Sequence, residues 1–363
     1  MKILYITTIG GTMEFFESFV SQLLDEGHTV DIATNEDTSR VPMCYKEWGC
    51  TVYQIDTSRS PLSKGNLQAI KQIKEIVTKG KYDIVHCHTP IAAMCTRIAC
   101  RKARKNGTKV FYTVHGFHFY KGAPLKNWVL YYPVEMLCAH WTDVLFTMNT
   151  EDYALAKKKM KAKRVEYVPG VGIDLSKFSC ATIDKAEKRK ELGIPEDATL
   201  LLSVGELNEN KNHETVIRAI ADMDVHYVVA GMGALQEHLQ RVIDKLGMTE
   251  RVKLLGYRTD VAELYAAADV FVFPSFREGL PVSVMEAMAS GLPAVCSKIR
   301  GNVDLIDENG GALFDPHSVQ DCQKALDQVL NRDLCEAGKY NRDKVQDFEI
   351  GHVNEMLMEL YEG

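Results

Sequence analysis

A chain of 363 residues, 46% apolar and 25% charged with a net charge of −6, is too long for one ordinary core and sets an expectation of two domains. No apolar run approaches the ~18 residues of a membrane span, and an acidic chain without a recognition motif argues against nucleic acid as a partner. The charge is uneven: residues 1–175 carry 23 Lys+Arg against 17 Asp+Glu, and residues 176–363 carry 20 against 32, so the two halves face different partners or each other.

The opening MKILYITTIGG reads as a strand and a turn, because its apolar run is short and no cleavage region follows. Nothing in it addresses the chain outside the cytoplasm. Short runs rich in Ile, Val, Leu and Tyr follow: KILYITT, TVDIAT, CTVYQI, YDIVHCH, KVFYTVH, VLFTM and VEYVP, then TLLLSVG, HYVVAG, VKLLG, VFVFPS and PAVCS. Between them lie helical patterns such as MEFFESFVSQLLDEG and LQAIKQIKEIVTKG. Strands alternating with helices imply parallel sheets, here an α/β chain of two doubly wound, Rossmann-like domains facing across a cleft. The junction is expected in 168–198, where Gly, Pro and charge accumulate.

In the first half, Gly10 and Gly11 lie between a strand and a helix but lack G-x-G-x-x-G, so a dinucleotide fingerprint is absent and an ordinary tight turn remains open. His86 and His88 alternate onto one strand face, and His115 and His118 follow the next strand. Their spacing supplies no closed zinc set; His86 reads as a core histidine. Ten cysteines (44, 50, 87, 95, 100, 138, 180, 296, 322 and 335) show no C-x-x-C and read as reduced, mostly buried thiols. FHFYKGAPLKNWVLYYPVEMLCAHW (117–141) mixes aromatics with lysines, and KKKMKAKR (157–164) adds a basic run. Together they suggest contact with an anionic membrane surface and a lipid-linked or polyanionic acceptor; a buried helix with a solvated lysine face is the other reading.

In the second half, SVGELNENKNHETVIRAI (203–220) puts Lys211 in a loop just past a strand end, where a cation reaches a bound phosphate. Asp222-Met223-Asp224 matches D-x-D but precedes a strand and reads as a helix-ending turn, so no metal is required. REGLPVSVMEAMASGLP (277–293) has Glu278 and Glu286 flanking a helix start expected at Pro281, with Gly291 and Pro293 as a stop. The loop Gly279, Leu280, Pro281 and Val282 offers free N–H groups to a phosphate. A carboxylate beside a phosphate repels it, so the two glutamates suit sugar hydroxyls on either side of a diphosphate; dipole compensation and a solvated helix face would also account for them.

This E-x7-E segment resembles the signature of retaining glycosyltransferases of the GT-B fold, glycosyltransferase family four. VAGMGALQEHL, VKLLGYRTDVAELYAAADVFVFPS and YVPGVGIDLSKF are similar to further family segments in the same order, covering most of the chain. The resemblance implies a domain 1–172 that takes the acceptor, a domain 173–345 that binds a nucleotide-diphosphate sugar, and a helix 346–363 returning toward the first. It implies one of Glu278 and Glu286 on the transferred sugar and the other on the ribose, Lys211 on the diphosphate, His115 against the sugar, and Gly10-Gly11 as the first glycine loop. Family members carry an arginine where this chain has Glu206; either Glu206 turns away or contacts a donor hydroxyl, or another cation, Arg258 or Arg277, substitutes. HGFHFY resembles capsule and exopolysaccharide enzymes that extend polyprenyl-diphosphate sugars. The expected activity is metal-independent transfer of a hexose or N-acetylhexosamine, most simply from a UDP-sugar, to a growing or lipid-linked glycan at the inner face of the plasma membrane, without a cofactor. A nucleotide-sugar epimerase on the same scaffold and a non-catalytic sugar-nucleotide-binding subunit are the competing readings.

Overall fold

The computed structural model describes residues 1–58, 60, 63–178 and 184–363; Cys180 and part of the expected junction lie outside the described residues. It divides into two units, one of residues 1–171 with 353–363 and one of 172–352. In the first, seven parallel strands, Lys2–Ile6 (β1), Thr29–Thr34 (β2), Val52–Gln54 (β3), Ile84–His88 (β4), Lys109–Val114 (β5), Val144–Thr147 (β6) and Arg164–Tyr167 (β7), are ordered β3-β2-β1-β4-β5-β6-β7. In the second, Leu200–Val204 (β8), His226–Ala230 (β9), Val252–Gly256 (β10), Val270–Phe273 (β11), Ala294–Ser297 (β12) and Gly311–Phe314 (β13) are ordered β10-β9-β8-β11-β12-β13, again all parallel.

Helices on both faces of a parallel sheet bury its strands from both sides, which is why these strands read as unbroken apolar runs rather than alternating ones. Every residue of β4, β6, β11 and β12 is buried. One core cluster lies on each face of each sheet: Leu4, Ile6, Val85 and Val110 on one side of the first and Ile3, Tyr5, Ile84 and Phe111 on the other. β13 is a strand that the sequence reading does not contain. It is four residues long and begins at the second of two glycines, yet it pairs with β12 from Ala294↔Gly311 to Ser297↔Phe314.

Both sheets reverse strand order once, between β1 and β4 and between β8 and β11. In open parallel sheets ligands bind at the carboxyl ends of the strands at such a reversal. Gly10 follows β1 and His88 ends β4; Lys211 follows β8 and Glu278 follows β11. The chemistry-bearing residues of each unit therefore gather where the topology opens a crevice.

The last helix, Ile350–Glu362, starts in the second unit and ends in the first. Its Tyr361 is buried against β1, where its hydroxyl bonds that of Tyr5 at 3.0 Å, and Asn354 donates to the Ser18 hydroxyl at 2.9 Å. Of the described cysteines, Cys44 is half-buried, Cys335 is exposed and the rest are buried, all of them free thiols.

Candidate active site

Lys211 is fixed by its own loop. After β8 the chain makes one 3₁₀ turn, Glu209–Lys211, capped by Asn208, whose side-chain oxygen accepts from the Lys211 N–H at 3.0 Å. Asn212 follows in the left-handed region at φ 53°, a conformation that Asn tolerates, and its amide ties the loop to the carbonyls of Pro274 and Pro316. The Lys211 ammonium is thereby held 2.9 Å from Glu278 Oε1 and over the Phe273 ring. A cation and a carboxylate from the two strands flanking the reversal meet directly.

Two residues absent from the sequence reading hold the Glu278 loop. Asn210 donates to the Arg277 carbonyl at 2.9 Å and to Glu278 Oε1 at 3.4 Å, and its own carbonyl accepts from the Phe276 N–H. Arg300, 5% exposed, donates from Nε to the Glu278 carbonyl at 3.0 Å. Gly301 beside it has φ 79°, and a Cβ there would lie 2.3 Å from the Gly279 carbonyl oxygen. Only glycine lets that segment pack so closely.

The helix spans Val282–Ala289, so the start expected at Pro281 is corrected by one residue. Pro281 has ψ 118°, outside helical space, and serves as the cap residue, with its carbonyl accepting from Val284 and Met285. The first helical N–H groups belong to Val282 and Ser283, next to Gly279 and Leu280. Glu286 lies one turn further on, where the Tyr265 hydroxyl donates to its Oε2 at 2.9 Å, and burial raises its pKa against the lowering effect of that bond. It does not occupy a solvated helix face.

The remaining candidates are placed differently. Glu206 is exposed, and its carboxylate accepts from the Asn208 side chain at 2.9 Å. Arg277 is exposed. Arg258 is committed to Asp260 and Glu191, which with Glu263 and Lys188 form a cluster of two cations and three carboxylates, so it is not a spare cation for the Glu278 loop. Asp222 to Asp224 form the turn between helix His213–Ala219 and β9.

In the first unit, Gly10 begins a 3₁₀ turn, Gly10–Phe16, and a Cβ on it would meet the Ser39 carbonyl oxygen at 2.4 Å, so packing by itself requires this glycine. A Cβ on Gly11 would meet the Ser39 hydroxyl at 2.5 Å. His86 is a satisfied core histidine, bonded through Nδ1 to the Tyr361 hydroxyl and through Nε2 to the Thr113 hydroxyl at 2.7 Å. His88 links inward and outward: its ring centroid is 4.2 Å from that of His86, and its Nδ1 is 3.2 Å from His115 Nε2. Burial lowers the pKa of His86 to about 3 and of His115 to about 4, and holds His88 well below its ordinary value. All three rings are neutral near pH 7, so the His88–His115 contact is a hydrogen bond between imidazoles. His118 packs against Tyr131, with ring centroids 4.6 Å apart and planes tilted by 33°.

Comparison with known proteins places the chain in a family. Residues 2–148 match the family described as Glycosyl transferase 4-like, and residues 184–344 match Glycosyl transferases group 1. The putative glycosyltransferase EpsD of Bacillus subtilis is 35% identical over 99% of this chain and 96% of its own. An Escherichia coli UDP-Gal:α-D-GlcNAc-diphosphoundecaprenol α-1,3-galactosyltransferase is 31% identical over 83% of this chain and 84% of its own. Among solved structures, Anabaena HepE in complex with UDP superposes with a TM-score of 0.83 at 19% identity over all of both chains, and WaaG, a glycosyltransferase involved in lipopolysaccharide biosynthesis, with 0.77 at 18% over 99% and 100%. The chain belongs to the GT-B glycosyltransferases, among the relatives of exopolysaccharide and lipid-linked-sugar transferases.

Proposed function

We propose that this protein is a retaining, metal-independent glycosyltransferase that moves a hexose or N-acetylhexosamine from a UDP-sugar to a lipid-linked or growing surface glycan. The observation that carries the reading is the Lys211–Glu278 pair beside the N-terminus of helix Val282–Ala289. As the glycosidic bond breaks, negative charge grows on the departing diphosphate. The first helical N–H groups meet that charge already in place, and Lys211 meets it by turning from Glu278 toward the phosphate.

Glu278, with Lys211 turned toward the phosphate, accepts from hydroxyls of the transferred sugar. Glu286 is a half-buried carboxylate whose lost hydration a ribose diol replaces. His115, neutral and backed by His88, offers one ring nitrogen to the sugar. In this reading exposed Glu206, bonded to Asn208, leaves the phosphate position to Lys211 and the helix. UDP and glucose bound to HepE support the donor class, and the diphosphoundecaprenol acceptor named for the Escherichia coli relative supports the acceptor class.

The test is thermal stabilisation of the purified protein by UDP-, GDP- and ADP-sugars, followed by UDP release with and without a polyprenyl-diphosphate sugar. Stabilisation by one UDP-sugar and acceptor-stimulated release are expected. Binding without release would leave a sugar-nucleotide-binding protein instead.

A further inference from the structure

His88 ends β4 with 2% of its surface exposed, so it acts on a substrate only through another residue. Its ring is packed on several sides. The ring centroids of Phe16 and His86 lie 4.1 and 4.2 Å away, and Tyr5 stacks on it at 5.4 Å with planes 15° apart. The backbone holds it as well: Thr89, the next residue, has φ 65°, a region that a β-branched residue enters only under constraint. The Thr89 hydroxyl bonds that of Thr8, just past β1, at 2.6 Å, and helix Pro90–Ala99 begins at the following residue. Strain of this kind persists only where the surroundings over-determine the conformation.

The two nitrogens of this ring stand in unequal positions. Nδ1 lies 3.2 Å from His115 Nε2, whereas Nε2 is buried and has no hydrogen-bond partner among the described residues. A neutral imidazole carries one N–H and one bare nitrogen, and burial keeps both rings neutral near pH 7. If His115 donated, the single proton of His88 would sit on Nε2, a buried N–H without an acceptor. If His88 donates from Nδ1, the nitrogen left alone is the bare one. A buried N–H without an acceptor is a rarer defect in folded proteins than an acceptor with a free lone pair, which favours His88 as the donor. His115 Nε2 is then the accepting nitrogen, and the His115 proton is on Nδ1. His115 is half-buried and its Nε2 is taken by His88, so Nδ1 is the nitrogen left for a ligand.

We propose that His88 is a positioning residue that fixes the tautomer of His115: the His88 Nδ1–H donates to His115 Nε2, so that His115 presents Nδ1–H, a hydrogen-bond donor, to an oxygen of the transferred sugar. The inference rests on the placement of His115 against the sugar proposed above. Which nitrogen of an imidazole carries the proton is set by the bond that its other nitrogen makes, and a buried, packed partner makes that bond in one direction only. As a donor, His115 selects a sugar with an oxygen at that point and takes no proton from the acceptor hydroxyl, whose activation falls to another group.

The test is long-range proton–nitrogen NMR of the imidazoles in the full chain near neutral pH, which distinguishes Nδ1–H from Nε2–H without any substrate; signals are assigned by their loss in His88→Asn and His115→Gln. Both His88 and His115 are expected as Nδ1–H tautomers in the wild type. In His88→Leu, which keeps the apolar bulk and loses the donor, His115 should move to the Nε2–H form that an unconstrained histidine prefers. The kcat for UDP release from UDP-glucose or UDP-galactose should fall about tenfold at nearly unchanged KM, on the order of one lost hydrogen bond. His88→Asn, whose side-chain N–H stands close to the place of Nδ1, should restore the His115 tautomer and most of the rate, which a role confined to packing would not do. A wild-type His115 in the Nε2–H form overturns the inference, and so does a folded His88→Leu protein with an unchanged His115 signal and an unchanged rate. If His88→Leu does not fold, the wild-type and His88→Asn spectra decide. Two Nδ1–H tautomers in a wild type that releases no UDP from any UDP-sugar would sink the proposed donor chemistry and leave the His88–His115 bond standing.

Discussion

Lys211→Ala should separate catalysis from stability. The side chains of Lys211 and Glu278 are 21% and 17% exposed and 2.9 Å apart, and their pairing is shared with Asn210 and the Phe273 ring. Exposed ion pairs contribute ~0.2–1 kcal/mol, and only fully buried ones cost several when broken. Loss of this partly solvated pair is therefore worth about 1 kcal/mol in stability, a melting shift of a few degrees at most for a domain of this size. The catalytic loss is larger, because the ammonium acts on charge that develops only in the transition state. Removing one such donor costs about 3–4 kcal/mol, or roughly 10²–10³ in kcat. UDP release under saturating donor, alongside thermal melting, measures both. A kcat within tenfold of wild type, or a melting loss that accounts for the fall in activity, would refute the role given to Lys211.

Three further outcomes follow from the same geometry. Gly301→Ala puts a methyl where the Gly279 carbonyl lies and forces a positive φ on alanine; it should raise the donor KM severalfold, and unchanged donor affinity would mean that the loop does not hold the phosphate. Tyr361→Phe removes the hydroxyl shared by Tyr5 and His86 and leaves their buried polar atoms unsatisfied, at a cost of ~1–3 kcal/mol by chemical denaturation. His86 and His115 have folded pKa values of about 3 and about 4, below the unfolded value near 6.5. The unfolded chain therefore takes up their protons first: stability is full above pH 6.5 and falls as pH drops toward 4, by up to ~1.4 kcal/mol per pH unit per histidine. Melting followed from pH 7 to 4 should show that slope, and His86→Gln should flatten it.

The strands were legible because doubly buried parallel strands are continuous apolar runs, and twelve of them could be read that way. β13 escaped because two glycines open it and only Ala312, Leu313 and Phe314 supply the run. Glu278, Glu286 and Lys211 were legible as residue types next to strand ends. Arg300 was equally so, as a cation just past β12, but its burial and its bond to the Glu278 carbonyl are properties of the folded loop. Asn210 adjoins Lys211 in sequence and offered no chemical reason to be chosen. The Tyr361–His86 contact joins residues 275 apart, a separation over which no local pattern carries information. Residues 125–139 show the limit most clearly, since an apolar pattern does not reveal which of its sides the rest of the chain leaves uncovered. Arg258 looked available as a cation because its partners, Glu191 and Asp260, come together only in the fold.

The most direct measurement is product analysis by mass spectrometry after incubating the purified chain, wild type and Glu278→Gln, with UDP-hexoses and UDP-N-acetylhexosamines and a polyprenyl-diphosphate sugar. The account predicts an acceptor heavier by one sugar, with the donor's anomeric configuration kept by NMR, and loss of that product in the variant. An acceptor left unmodified by every UDP-sugar, or a product formed equally well by Glu278→Gln, would contradict it.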